Sequence, residues 1–236
     1  MSSTRQEKVD IEVWEALRES FSIILHKPII LLPMLVVSLF SQFIDSLTHT
    51  FIAPDQITSI SDIIPLLKFV LPFLVLSIAI YTLVEGMYPL MVKNVLENKE
   101  IELRAAFGSV VKKFPSLIVA GILVGLLVGF GIMLFIIPGV IFAIWYFYTI
   151  PAIMLEDRGA LDGMRASKAF ASDKKFDTFL LLLIPMVIIF LVGVFTLPLH
   201  LFSSVAEEIV GFILSLIVMT WMSVIPAYVY IRHKEV

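Results

Sequence analysis

The stretch Ile150-Pro151-Ala152-Ile153-Met154 recurs in outline as Tyr88-Pro89-Leu90-Met91-Val92 and again as Ile225-Pro226-Ala227-Tyr228-Val229. Each copy closes a long apolar run. Each run follows a turn, an earlier apolar run and an amphipathic stretch that opens around Phe21, Phe107 or Phe170. A module written three times in this way decides the architecture: three helical hairpins in sequence, each introduced by a surface helix. Opening Phe and closing Pro stand 68, 44 and 56 residues apart, and the differences fall in the connection between the two limbs of each hairpin. The repeats occupy approximately 9–95, 100–156 and 160–236 of a single membrane domain, 1–236.

Composition agrees with that reading. With 59% hydrophobic and 16% charged residues, the chain is too apolar for an ordinary soluble domain. Six runs are long enough to cross a hydrocarbon core of about 30 Å: near Pro28 to Ile44, Phe69 to Val92, Ser116 to Ile137, Gly139 to Leu155, Thr178 to Leu199 and Ile209 to Ile231. Lipid cannot satisfy backbone polar groups and the runs lack barrel-strand alternation, so they are expected as helices. The polar stretch to about Ser20 is unlike a signal peptide, so the first span is expected to be retained. Without cysteine there is neither a disulfide nor a thiolate metal site.

Charge sets the expected orientation. Of the 17 basic residues, all but Lys68 fall before the first span, between the second and third, between the fourth and fifth, or after the sixth. Lys and Arg accumulate in cytoplasmic loops, so both termini of this multi-pass cell-membrane protein are expected in the cytoplasm. The outer connections are then Asp45 to Lys68, a tight turn at Pro138-Gly139, and His200 to Glu208.

Each surface helix should present an apolar stripe to the membrane. The stripes are Val13, Trp14, Leu17, Phe21 and Ile24; then Leu103, Ala106, Phe107 and Val110; then Leu161, Met164, Ala169 and Phe170. They either cover the inner ends of the bundle or recruit anionic lipid or a soluble cytoplasmic partner. Parallel orientation of the three hairpins suggests a pseudo-threefold arrangement about the membrane normal. Pro89, Pro151 and Pro226 are candidate helix breaks, each depriving the carbonyl four residues earlier of its donor. Those carbonyls belong to Glu85, Phe147 and Met222. They converge on water, a cation or a head group if the second limbs line the centre; otherwise the prolines are simple kinks. Gly121, Gly125 and Gly129 recur at four-residue spacing and suit close helix packing, within this chain by default and in a homo-oligomer otherwise.

Glu85 is the one acidic residue deep inside a run, and an intramembrane carboxyl is costly unless protonated, hydrated or paired. It is either a protonated group bonded to a neighbouring helix or part of a proton or cation relay. Asp45 and His49, with His200, Glu207 and Glu208, supply weak metal-ligand candidates in the outer connections, where solvated loop polarity is the default account of them. A phosphate loop, a serine elbow and a hydrophilic catalytic domain are all missing from the sequence, so an enzyme is not expected. No cofactor is expected, and the short mixed-charge loops do not suit nucleic acid.

The segment Ile137-Pro138-Gly139-Val140-Ile141, through Phe147 and Pro151 to Glu156-Asp157-Arg158-Gly159-Ala160-Leu161 and Ser167-Lys168, resembles a pattern in prokaryotic membrane proteins. These are related to the membrane domain attached to some glycerophosphodiester phosphodiesterases, and to similar stand-alone inner-membrane proteins. The resemblance implies six spans. It carries over neither activity nor catalytic residues, because the phosphodiesterase barrel has no counterpart here. The leading expectation is a non-enzymatic membrane scaffold or accessory protein in contact with lipid. The alternative is a transporter, channel or lipid-handling protein with a central site near Glu85.

Overall fold

A computed structural model describes residues 11–51, 60–198 and 203–234. Among them every regular element is helical: α1 (Val13–His26), a 3₁₀ turn (Pro28–Leu31), α2 (Leu32–Phe51), α3 (Ile60–Leu96), α4 (Leu103–Leu134), α5 (Ile136–Tyr146), α6 (Thr149–Leu155), α7 (Ala160–Ser172), α8 (Lys175–Thr196) and α9 (Ser204–Lys234). Six segments are long and apolar enough to cross a membrane: Pro28–Leu47, Val70–Leu96, Leu103–Leu134, Ile136–Leu155, Lys175–Thr196 and Val205–Lys234. The hairpins are α2 with α3, α4 with α5 and α6, and α8 with α9. Their second limbs α3, α6 and α9 touch one another pairwise.

Packing is concentrated at the end that carries the basic loops. Tyr88, Met91, Val92, Tyr148, Ala152, Ile153, Val224, Ile225, Val229 and Tyr230 are all buried there. Toward the opposite end the hairpins part company, and no described side chain is buried across 35–47, 70–83 or 203–217. Lipid chains are as apolar as leucine, so this exposure costs little within a bilayer. The fold is thus closed at its basic end and open at the other.

Several expectations change. The turn of the second hairpin lies at Phe135, which is extended (φ −160, ψ 147), and not at Pro138-Gly139. Pro138 occupies the first turn of α5, where a backbone N–H has no helical acceptor to lose. The second amphipathic stretch is no separate helix, since α4 runs unbroken for 32 residues through Pro115. At 1.5 Å per residue that is about 48 Å, well beyond a hydrocarbon core of about 30 Å. Val111, whose carbonyl loses its donor to Pro115, is exposed.

The surface-helix stripes are only partly turned to the bundle: Leu17, Ile24, Ala106, Val110 and Met164 are buried. Trp14 is 77% exposed and Leu161 56% exposed, whereas α1 buries Ala16, Leu17, Ser20, Ile23 and Ile24 and α7 buries Gly163, Met164, Ala166, Ser167 and Ala171. The packed faces mix small residues with large apolar ones, and part of each stripe stays outward.

The glycine expectation changes too. A Cβ added at Gly121, Gly125 or Gly129 would meet nothing within 4 Å, so among the described residues this stripe has no packing partner. The close approaches are elsewhere: a Cβ at Gly131 would lie 2.8 Å from the Gly139 backbone, one at Gly139 2.8 Å from the Ile132 amide nitrogen, and one at Gly163 2.4 Å from Ile153. Gly131 and Gly139 join α4 to α5; Gly163 seats α7 on α6.

Candidate functional site

A cavity of about 340 Å³ lies where the second limbs meet. Its lining comes from Met34 of α2, from Tyr81, Glu85 and Pro89 of α3, from Phe147, Ile150 and Pro151 at the α5–α6 junction, and from Met219, Met222, Ser223 and Pro226 of α9. The structure therefore brings together all three candidate prolines and all three residues whose carbonyls they deprive of a donor. Buried Pro89, Pro151, Pro226 and Met34 form the floor toward the basic end. Tyr81 and Met219, 49% and 45% exposed, form the lip on the open side.

Glu85 stands between floor and lip. Ser223 donates a hydrogen bond to its Oε1 at 2.6 Å, and the Tyr81 side chain, one helical turn away, reaches the same carboxyl. The Ser223 hydroxyl also lies 3.1 Å from the Met219 carbonyl, its local alternative. Among the described residues no Lys, Arg or His lines this cavity. The site is thus one carboxyl, two hydroxyls, three thioethers and two aromatic rings in an otherwise aliphatic wall.

No family model, curated protein or solved structure matches the chain. The resemblance carried by the Pro-Gly and Glu-Asp-Arg-Gly segments stays an expectation. The chemistry is read from the cavity.

The three prolines act differently. Pro89 and Pro226 sit inside the continuous helices α3 and α9, so only the fourth span is broken. Its break falls at Phe147 and Tyr148, and Pro151 occupies the first turn of α6. Ser167 of α7 repairs it. The Tyr148 N–H donates to Ser167 Oγ at 3.0 Å, and the Ser167 hydroxyl donates to the Trp145 carbonyl at 2.8 Å. Tyr148 Oη meets Thr178 Oγ1 at 3.1 Å. A side chain from the third surface helix thus holds open the junction that delivers Phe147 and Pro151 to the cavity.

A second polar cluster closes the basic end. Glu156 accepts from Arg158 at 2.7 and 2.8 Å and from both Tyr230 and Lys234 of α9. Lys234 also donates to Tyr230 Oη at 2.7 Å. Partial burial opposes ionisation of Glu156, but these donors outweigh it and hold the carboxyl below its ordinary range. Lys113 of α4 pairs with Asp157 at 2.6 Å. Asp157, with φ 55, supplies the left-handed residue of this turn, and Gly159 does not. On the other face of α9, Trp221 Nε1 donates to Ser20 Oγ at 2.9 Å and to the Leu17 carbonyl at 3.2 Å, tying down α1.

The metal candidates are described in part. Asp45 and Glu208 border a shallow depression between α2 and α9, and Glu207 lies beside Glu208 in the first turns of α9. His49 falls within α2, and His200 lies outside the described residues. Among the described residues no group of three or more His, Asp or Glu is placed to hold a metal.

The sequence reading gave no site role to Tyr81, Met34, Met219 or Ser223, and named Ser167 only as the end of the segment that carries the resemblance. Tyr81 was accessible to it, standing four residues before Glu85 on one helix face. So were Met219 and Ser223, at helical spacing before Pro226. Ser167 carried no local signal, because its partner backbone is about twenty residues away in another helix.

Proposed function

We propose that this integral membrane protein takes an amphiphilic small molecule or lipid from the bilayer into the Glu85 cavity, as a transport or lipid-handling protein rather than as a scaffold. The observation that carries the reading is the cavity itself, formed where three proline-bearing limbs meet around one carboxyl. A pure scaffold needs no polar group at that depth. Glu85 lies eight residues from Lys93, about 12 Å along the helix, where an unneeded carboxyl is a standing cost. The volume is of the size that holds small organic ligands, which occupy sites of about 300 to 1,000 Å³. Parted outer halves give a guest a route from the lipid without unfolding the closed end.

Native mass spectrometry and cysteine labelling test this, and the chain contains no native cysteine to interfere. Met222→Cys and Phe147→Cys in lipid nanodiscs should react with a small permeant maleimide, while Val224→Cys, fully buried in the core, should not. Wild-type protein should retain amphiphile that Met222→Trp, filling the cavity, releases. Equal protection at all three positions, with no guest displaced, would sink the proposal.

A further inference from the structure

Resting on the cavity reading, we infer that the guest is a hydrophobic cation, an alkyl ammonium whose charged head sits at Glu85 and whose apolar body lies against the methionines and rings. The wall excludes the other ligand classes one by one. An anion would meet Glu85 with no Lys, Arg or His in the lining to offset the repulsion. A divalent metal would find a single carboxyl and no cluster of three ligating side chains among the described residues. A neutral chain would fill the volume but use the carboxyl only in its protonated, hydrogen-bonding form, whereas a cation supplies the counter-charge that the ionised form needs in a low-dielectric site.

An ammonium head satisfies all of these groups together. Its N–H donors can share the carboxylate with the Ser223 and Tyr81 hydroxyls, since Ser223 occupies only Oε1 and two carboxylate oxygens offer about four acceptor positions. The faces of Tyr81 and Phe147 attract a cation through their ring quadrupoles. Met34, Met219 and Met222 are unbranched and polarizable, so they adapt to apolar bodies of differing shape. Selectivity then comes from charge at one point and tolerance elsewhere.

The test is calorimetric titration of octylamine, and separately of octanol, into wild-type protein in phosphatidylcholine nanodiscs, with empty nanodiscs subtracted. We expect saturable octylamine binding at about one per chain, and octanol weaker by about tenfold or more, the scale of one charge-assisted contact. Glu85→Gln should remove most of that preference and keep octanol binding, which reports that the variant is folded. Repeating the titration with phosphatidylethanolamine in the nanodisc distinguishes two sources of the same chemistry: competition points to a lipid amine head group, and its absence to a free amine. Equal affinity for amine and alcohol in the wild type overturns the inference whether or not any variant folds. If octanol still saturates and Met222→Trp abolishes it, the cavity reading stands without the cation; if neither ligand saturates, both fall.

Discussion

Replacing Ser167 by alanine removes one oxygen atom, yet it should be among the most damaging small changes in this chain. Ser167 is fully buried. Its hydroxyl accepts from the Tyr148 amide at 3.0 Å and donates to the Trp145 carbonyl at 2.8 Å, across the break between α5 and α6. Without it, a buried N–H and a part-buried carbonyl each lose a partner, at up to about 1 to 3 kcal/mol per group. Allowing for local relaxation, the loss is about 2 to 4 kcal/mol, less about 0.5 kcal/mol for the better helix propensity of alanine in α7. Interhelical side-chain bonds in bilayers are often worth only about 0.6 kcal/mol, because a separated helix finds other partners. A backbone amide at a helix break has no such substitute, so the larger figure applies.

The comparison is Ser109→Ala, which loses only an exposed bond to the Ala105 carbonyl of its own helix. Reversible unfolding in mixed micelles, titrated with a denaturing detergent, gives both differences under one condition. Ser167→Ala should be the less stable of the two by about 2 to 4 kcal/mol, because the propensity gain is common to both, and Met222→Cys in its background should change labelling rate as the junction shifts. If the two serine variants agree within about 0.5 kcal/mol, the usual scatter of surface substitutions, then Ser167 does not hold the break.

Gly139→Ala forces a Cβ to within 2.8 Å of the Ile132 amide nitrogen and should cost about 1 to 3 kcal/mol by overpacking. Gly125→Ala, in open space, should be neutral or stabilising in the same unfolding assay. Trp221→Phe keeps a ring against Phe21 but loses donation to Ser20 and the Leu17 carbonyl. It should loosen α1 by about 1 to 2 kcal/mol, read as faster hydrogen exchange across 13–26 and not across α8. The depressed Glu156 carboxyl stabilises the fold when ionised, so its contribution is present above its ordinary value of 4.5 and is lost as pH falls through the lower folded value. The stability difference between wild type and Glu156→Gln should therefore shrink on acidification below about pH 4.5, as measured by thermal unfolding; a gap that widens there contradicts the network.

What was legible in the sequence follows from which forces leave a local trace. Length and apolarity are set residue by residue by the bilayer, so six spans could be counted directly, and the periodic prolines marked the helices that meet at the cavity. Glu85 was visible for the same reason, as a charge where lipid penalises one. Close packing leaves no comparable trace. Gly121, Gly125 and Gly129 have the spacing of a packing seam yet face open space, while Gly131 and Gly139, eight residues apart across a turn, bring two helices into contact. Nothing within either helix distinguishes the two sets, because the choice depends on where the Phe135 turn aims α5.

The break in the fourth span follows the same logic. Pro89, Pro151 and Pro226 lie in similar sequence settings, but only the span holding Pro151 is broken, and only there does a neighbouring helix offer a hydroxyl to both orphaned backbone groups. Proline removes a donor in all three spans. Whether the helix then bends through or parts depends on what the adjoining surface helix presents, and α7 presents Ser167 between the small residues Gly163 and Ala171. The asymmetry of the cavity thus arises from two side chains, the Glu85 carboxyl on α3 and the Ser167 hydroxyl on α7. The first supplies a place for charge, and the second positions the wall opposite it.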